Sequence, residues 1–280
     1  MRELAVTASD GHRFSLRLHE SAAPRAIIVI CPAMGVSAGY YDRFAEAIAT
    51  HHGCHVAITD LRGQGSSSLR ASRRVDWGYA TMIERDWPAL VDGLRQSWPG
   101  LPLYLLGHSQ GGQLSLLYLA HQPSGVDGVL TIACGSTYFY GWPFPASLNI
   151  LARTQFVRGP AAVLGYFPGN KLGFGGRQAR SEMRDWANAA LNGRYDLINA
   201  GIDYEAALRR ITRPVRIFSL EGDDFAPRGA ADVLVQKLPP ALVQHQHLTA
   251  ADLPAEALDH FRWSRSPQAV VPKLLASVGL

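Results

Sequence analysis

A chain of 280 residues that is 47% hydrophobic can bury a sizeable core, as one large domain or a domain carrying an insertion, which argues against a multi-domain array. Lys+Arg 27 against Asp+Glu 23 leaves a formal charge of +4, too dilute over this length to imply nucleic acid, and the local cluster Arg70, Arg73, Arg74 reads as a solvated loop. Cys31, Cys54 and Cys134 lie far apart in apolar contexts and read as free buried thiols in a reducing compartment; with no secretory signal and no membrane-length segment, the expected location is the cytoplasm.

In chain order, residues 2–7 and 12–19, separated by Ser9-Asp10-Gly11, predict a β-hairpin in which Phe14, Leu16 and Leu18 alternate with polar neighbours. The continuous apolar run Arg25 to Cys31 predicts a strand covered on both faces, ending at Pro32. A helical period over 38–50, a strand from Cys54 to Thr59 and a helix from about Tyr79 to Ser97 follow. The apolar runs 101–106 and 128–133, with the helix-compatible segment 113–120 between them, continue the βαβ rhythm of a mostly parallel α/β sheet flanked by helices.

Near Gly135 the pattern changes, because Tyr138, Phe139, Tyr140, Trp142, Phe144, Phe156, Tyr166 and Phe167 are interleaved with Pro and Gly instead of falling at strand spacing. Residues 136–210 are therefore read as a cap or lid inserted after the sixth strand, and residues 1–135 with 211–280 as the core. The one clear helical stretch of the insertion runs near Ser181 to Leu191. After it the rhythm resumes with a strand at Pro214 to Leu220, a helix after Pro227, a strand at Ala241 to Leu248 and a helix at Pro267 to Ser277.

The feature with chemical content is Gly107-His108-Ser109-Gln110-Gly111-Gly112, a corner between a strand and a helix. Glycines two before and two after Ser109 remove the Cβ atoms that would clash in so tight a turn, which is the pattern of a nucleophile elbow. A serine hydroxyl is a poor nucleophile until a base takes its proton, so Ser109 requires a His and a group to orient it. Within Glu221 to Pro227 two aspartates compete: Asp223, four residues before Pro227, is favoured on that offset, and Asp224, three before it, stays a candidate. Among ten histidines, His260 lies on the loop between the last strand and the last helix, where such a base belongs; His245 and His247 alternate within a strand and read as sheet residues.

Attack on a carbonyl places charge on oxygen, which backbone donors must meet. The Gln110 amide opens the elbow helix, and the loop Pro32-Ala33-Met34-Gly35 offers Met34 N–H as a second donor. His108, Tyr138, Trp142 and Trp186 are candidates for lining a substrate pocket. His51, His52 and His55 suggest no metal site, and nothing implies a cofactor.

Taken together, the elbow, the loop 32–35, Asp60-x-Arg62-Gly63-x-Gly65-x-Ser67 and the late Asp and His resemble the α/β-hydrolase superfamily over essentially the whole chain. Pro32 to Val36 followed by Tyr41, the stretch Gly165 to Gly173 leading to Trp186, and Asp259-His260-Phe261 are similar to a group of predicted bacterial α/β-hydrolases of uncharacterised activity. The resemblance implies Ser109 as nucleophile, Asp223 as acid, His260 as base and the Met34 and Gln110 amides as oxyanion hole. It departs from the common pattern in having Pro32-Ala33 where His-Gly usually precedes the oxyanion residue. The implied activity is cleavage of a carboxylic ester or related acyl compound through an acyl-enzyme. Acyl transfer through the same intermediate, or a silent ligand-binding protein, are the alternatives. The expected partner is a small acyl substrate, and a homodimer is left open.

Overall fold

The computed structural model describes residues 1–280. Ten strands form: β1 (Arg2–Thr7), β2 (Arg13–His19), β3 (Ala26–Cys31), β4 (Cys54–Ile58), β5 (Leu103–His108), β6 (Gly128–Ile132), β7 (Tyr166–Pro168), β8 (Arg177–Ala179), β9 (Val215–Leu220) and β10 (Val243–Leu248). Eight of them make one sheet in the order β1-β2-β4-β3-β5-β6-β9-β10. The hairpin β1/β2 and its junction with β4 are antiparallel, and every pairing from β4 to β10 is parallel.

Side-chain alternation along β3 explains the layered architecture. Ile27, Val29 and Cys31 enter one apolar core and Ala26, Ile28 and Ile30 the other, so both faces must be covered. Helices Trp87–Ser97 and Gln110–His121 cover the first face; helices Asp42–His51 and Pro267–Ala276 cover the second. The expected helix at 79–97 is interrupted by a π-helical turn, Met82–Asp86. Pro88 lacks the N–H that would bond four residues back, which accounts for the local widening. Asp86, on that turn, is buried against Arg62 at 2.6 Å and His12 at 2.9 Å. The Asp60 to Ser67 stretch is thus a structural turn: Arg62 also reaches Asp10 at 2.8 Å, and Asp60 accepts from Ala38 N and Ser66 N.

Between β6 and β9 the chain builds helices Ala146–Phe156, Arg158–Leu164 and Arg180–Asn192 with the small antiparallel pair β7/β8. Val157, Ala161, Phe167, Met183 and Ala187 form a separate apolar cluster there. Tyr195, Leu197, Tyr204 and Leu208, later in the same stretch, pack into the main core, where helix Tyr204–Leu208 lies on the elbow helix. The three cysteines are buried and unpaired, and no helix is long and apolar enough to cross a membrane.

Candidate active site

At the end of β5 the backbone is forced round a corner. Ser109 takes φ 51 and ψ −118, a left-handed conformation that costs a non-glycine residue about 1–3 kcal/mol and persists only where its surroundings enforce it. The glycines show how. A Cβ on Gly107 would lie 2.7 Å from the Gly111 carbonyl carbon, one on Gly111 would strike the Cys31 and Pro32 carbonyls, and one on Gly112 would sit 2.7 Å from Cys134 Sγ. The elbow helix therefore packs directly against the end of β3, bringing Ala33 and Met34 beside Ser109 and Gln110 on one cavity wall. Neither the Met34 nor the Gln110 amide is hydrogen-bonded within the protein, so both donors are available to a ligand.

The loops after β9 and β10 bring Asp223 and His260 together. His260 Nδ1 lies 2.9 Å from Asp223 Oδ2 and 3.0 Å from Oδ1. The Asp223 carboxylate is fully buried, and its Oδ1 also accepts from Phe225 N at 2.8 Å and Ala226 N at 3.0 Å, so its orientation is fixed independently of the histidine. With Nδ1–H given to the carboxylate, the other ring nitrogen is left as the acceptor a general base needs. Asp224 is exposed and makes no contact with His260; its carbonyl instead accepts from Trp142 Nε1 at 2.9 Å. His260 and Ser109 line the same cavity without a direct hydrogen bond between them.

Behind the wall lies a buried relay. Ala33 N donates to the Tyr41 hydroxyl at 3.2 Å, and that hydroxyl lies 2.7 Å from His108 Nδ1. Having accepted from Ala33, Tyr41 has its own proton to give Nδ1. Burial drives the His108 pKa well down, keeping the ring neutral, and raises that of Tyr41. His108 was expected to line the pocket; it is fully buried and does not, because it ends β5 with its ring beside Trp263 and the back of His260.

The cavity encloses about 760 Å³. Trp142 and Trp186 line it as expected, whereas Tyr138 does not: its ring packs over Gly193, where a Cβ would lie 2.9 Å away. Phe225, two residues after Asp223, and Phe261, next to His260, were missed although their sequence position was a usable signal. The Phe225 ring lies 5.0 Å from the His260 ring, tilted by 34°, and Phe261 lies 4.7 Å from it. Phe174, Phe167 and Phe156 complete an apolar wall. Arg153 is the one charged side chain on the lining; no carboxylate lines the cavity.

Comparison with known proteins gives a consistent picture. The family described as Hydrolase_4, serine aminopeptidase, S33, matches residues 22–250. Over 128 residues the chain is 27% identical to monoglyceride lipase of Mus musculus, a stretch covering 46% of this chain and 41% of that protein. The match thus spans less than half the length of that curated relative. The esterase RhEst1 from Rhodococcus sp. ECU1013 shares the fold with a TM-score of 0.61 at 17% identity, over 99% of this chain and 98% of that one. Est1E from Butyrivibrio proteoclasticus, solved with ferulic acid bound, does so with a TM-score of 0.64 at 14% identity, over 97% and 99% of the two chains.

Proposed function

From the premise that this chain belongs to the serine aminopeptidase S33 family of α/β-hydrolases, we propose that it is a serine esterase cleaving carboxylic esters with apolar acyl groups. Ser109 is the nucleophile, His260 the general base and Asp223 the group that orients and stabilises the base. The hydroxyl attacks the ester carbonyl as His260 Nε2 takes its proton, and the Asp223 carboxylate stabilises the imidazolium that forms. The Met34 and Gln110 amides receive the oxyanion. Collapse expels the alcohol, protonated by His260, and leaves an acyl-Ser109; water, deprotonated by the same ring, then releases the acid.

The observation that carries this reading is the buried Asp223–His260 pair at 2.9 Å facing the cavity that a left-handed Ser109 also lines. The lining favours an ester over the N-terminal peptide that the family description suggests. A free amino terminus is an ammonium group, and recognising it in an apolar cavity calls for a carboxylate, which this wall lacks. Aromatic and aliphatic side chains around about 760 Å³ suit an uncharged acyl chain.

Parallel assays of p-nitrophenyl esters graded in acyl length and of aminoacyl p-nitroanilides test the assignment. Ester turnover with a chain-length optimum is expected, at kcat/KM well above that for any aminoacyl anilide. The reverse preference would overturn it. Adding alcohol or amine acceptors to the ester assay distinguishes hydrolysis from acyl transfer, hydrolysis predicting free acid as the main product.

A further inference from the structure

Gln110 contributes its backbone N–H to the proposed oxyanion hole, while its side chain meets the foot of the insertion's helix Arg180–Asn192. Gln110 Nε2 donates to Glu182 Oε1 at 2.8 Å and lies 3.3 Å from the Tyr79 hydroxyl. Glu182 is 1% exposed. Its other oxygen accepts from Trp77 Nε1 at 3.2 Å, and its backbone N–H donates to the Trp77 carbonyl at 2.9 Å. No cation pairs with it; Arg180, in the preceding turn, is engaged by Asp76 at 3.1 Å. A buried carboxyl without a counter-ion is costly, and a purely structural anchor for this helix is already present. Asp185, one turn along, accepts from Tyr79 N and Ile198 N, both at 2.9 Å, and makes no hydrogen bond to the elbow.

We propose that Glu182 is a positioning residue: resting on the esterase reading above, it fixes the Gln110 side chain, and through it the direction of the Gln110 backbone N–H toward the oxyanion. The ionised form does this work. A carboxylate accepts from Gln110 Nε2 and from Trp77 Nε1 together, whereas protonation turns one acceptor into a donor aimed at another donor. Burial pushes the carboxyl up to about 7, opposed by hydrogen bonds from Gln110, the Ala179 backbone and Trp77, and assisted by repulsion from Asp185. The remaining titratable neighbours are Tyr79, with Cys134 and Tyr195 beyond it, all held neutral by burial, and Asp76, which is paired with Arg180. Activity therefore falls as pH drops below about 7, because Glu182 must be ionised to hold Gln110.

The test compares wild type, Glu182→Gln, Gln110→Leu and Asp185→Asn as full chains, by the rate of fluorophosphonate labelling, kcat and KM across pH, and melting temperature. Removing an oxyanion donor outright costs 10²–10³ in kcat, so misdirecting one in Glu182→Gln should slow labelling and lower kcat about tenfold with KM changed less than about twofold. Its acid limb should also become shallower, one proton fewer being involved. Gln110→Leu, which keeps the backbone N–H, should give the same loss from the other end of the contact, so the proposal stays exposed if one variant folds poorly. Asp185→Asn should lower the melting temperature while labelling within about twofold of wild type. The proposal is overturned if Glu182→Gln and Gln110→Leu label at the wild-type rate with an unchanged acid limb, or if Asp185→Asn slows labelling equally. A wild type that does not label at all removes the esterase reading instead.

Discussion

At the carboxyl ends of the strands, the groups proposed to meet the reacting carbonyl are held by backbone collision or by a buried hydrogen bond. Gly107, Gly111 and Gly112 leave Ser109 no alternative path, and three donors fix the Asp223 carboxylate. Across the cavity the insertion is built differently. Its private core is five side chains, and its surface shows Tyr140 at 70%, Phe144 at 80% and Phe156 at 63% exposure. On the esterase reading, the first region has little freedom to vary without losing chemistry, and the second can change its apolar lining and with it the acyl group that fits. The exception is the foot of helix Arg180–Asn192, where Glu182, Asp185 and Ser181 tie the insertion to Gln110, Tyr79 and Asp76.

Substitutions in the two regions should differ in kind. Ser109→Ala and His260→Ala, each removing a member of a unit that acts together, should lower kcat by about 10⁴–10⁶ with the fold intact, read by ester assay and circular dichroism. Asp223→Asn should cost about 10⁴ because the amide oxygen stays with the Phe225 and Ala226 N–H groups and the NH2 faces Nδ1 without the carboxylate's charge, favouring the wrong tautomer, while Asp224→Asn stays within about threefold. The reverse outcome would move the acid to Asp224. In the insertion, Trp186→Ala should raise KM about tenfold for long-chain esters and leave short-chain turnover nearly unchanged, since only buried apolar contact is lost. An equal loss on short and long chains would instead make Trp186 part of the rigid region.

The smallest effect concerns stability. Glu182 has a folded pKa of about 7 against an ordinary 4.5, so the native state binds the proton more tightly, and its contribution is full below about 4.5 and lost as pH rises toward 7. Asp185, raised from 3.8 to about 6, acts in the same direction. The melting temperature of wild type minus that of Glu182→Gln should therefore fall as pH is raised across this window. A difference independent of pH would contradict the burial argument.

The alternating strands and the elbow were legible because their causes are local: apolar runs specify covered strands, and Gly-x-Ser-x-Gly is a steric requirement of one turn. The choice between Asp223 and Asp224 was open because offset from Pro227 does not reveal which carboxylate turns inward. His108 and Tyr138 were misplaced because a residue's presence at a motif or in an aromatic cluster says nothing of the wall behind it, here Trp263 and Gly193. The Glu182–Gln110 contact joins residues 72 apart in sequence across the core and insertion, and no local pattern announces it.

The central claim is that Ser109, activated by His260, is the nucleophile. Incubation with a fluorophosphonate followed by peptide mass spectrometry tests it directly: the account predicts one label per chain, on Ser109, lost in Ser109→Ala and greatly slowed in His260→Ala. A folded wild-type protein that takes no label, or takes it at another residue, would contradict it.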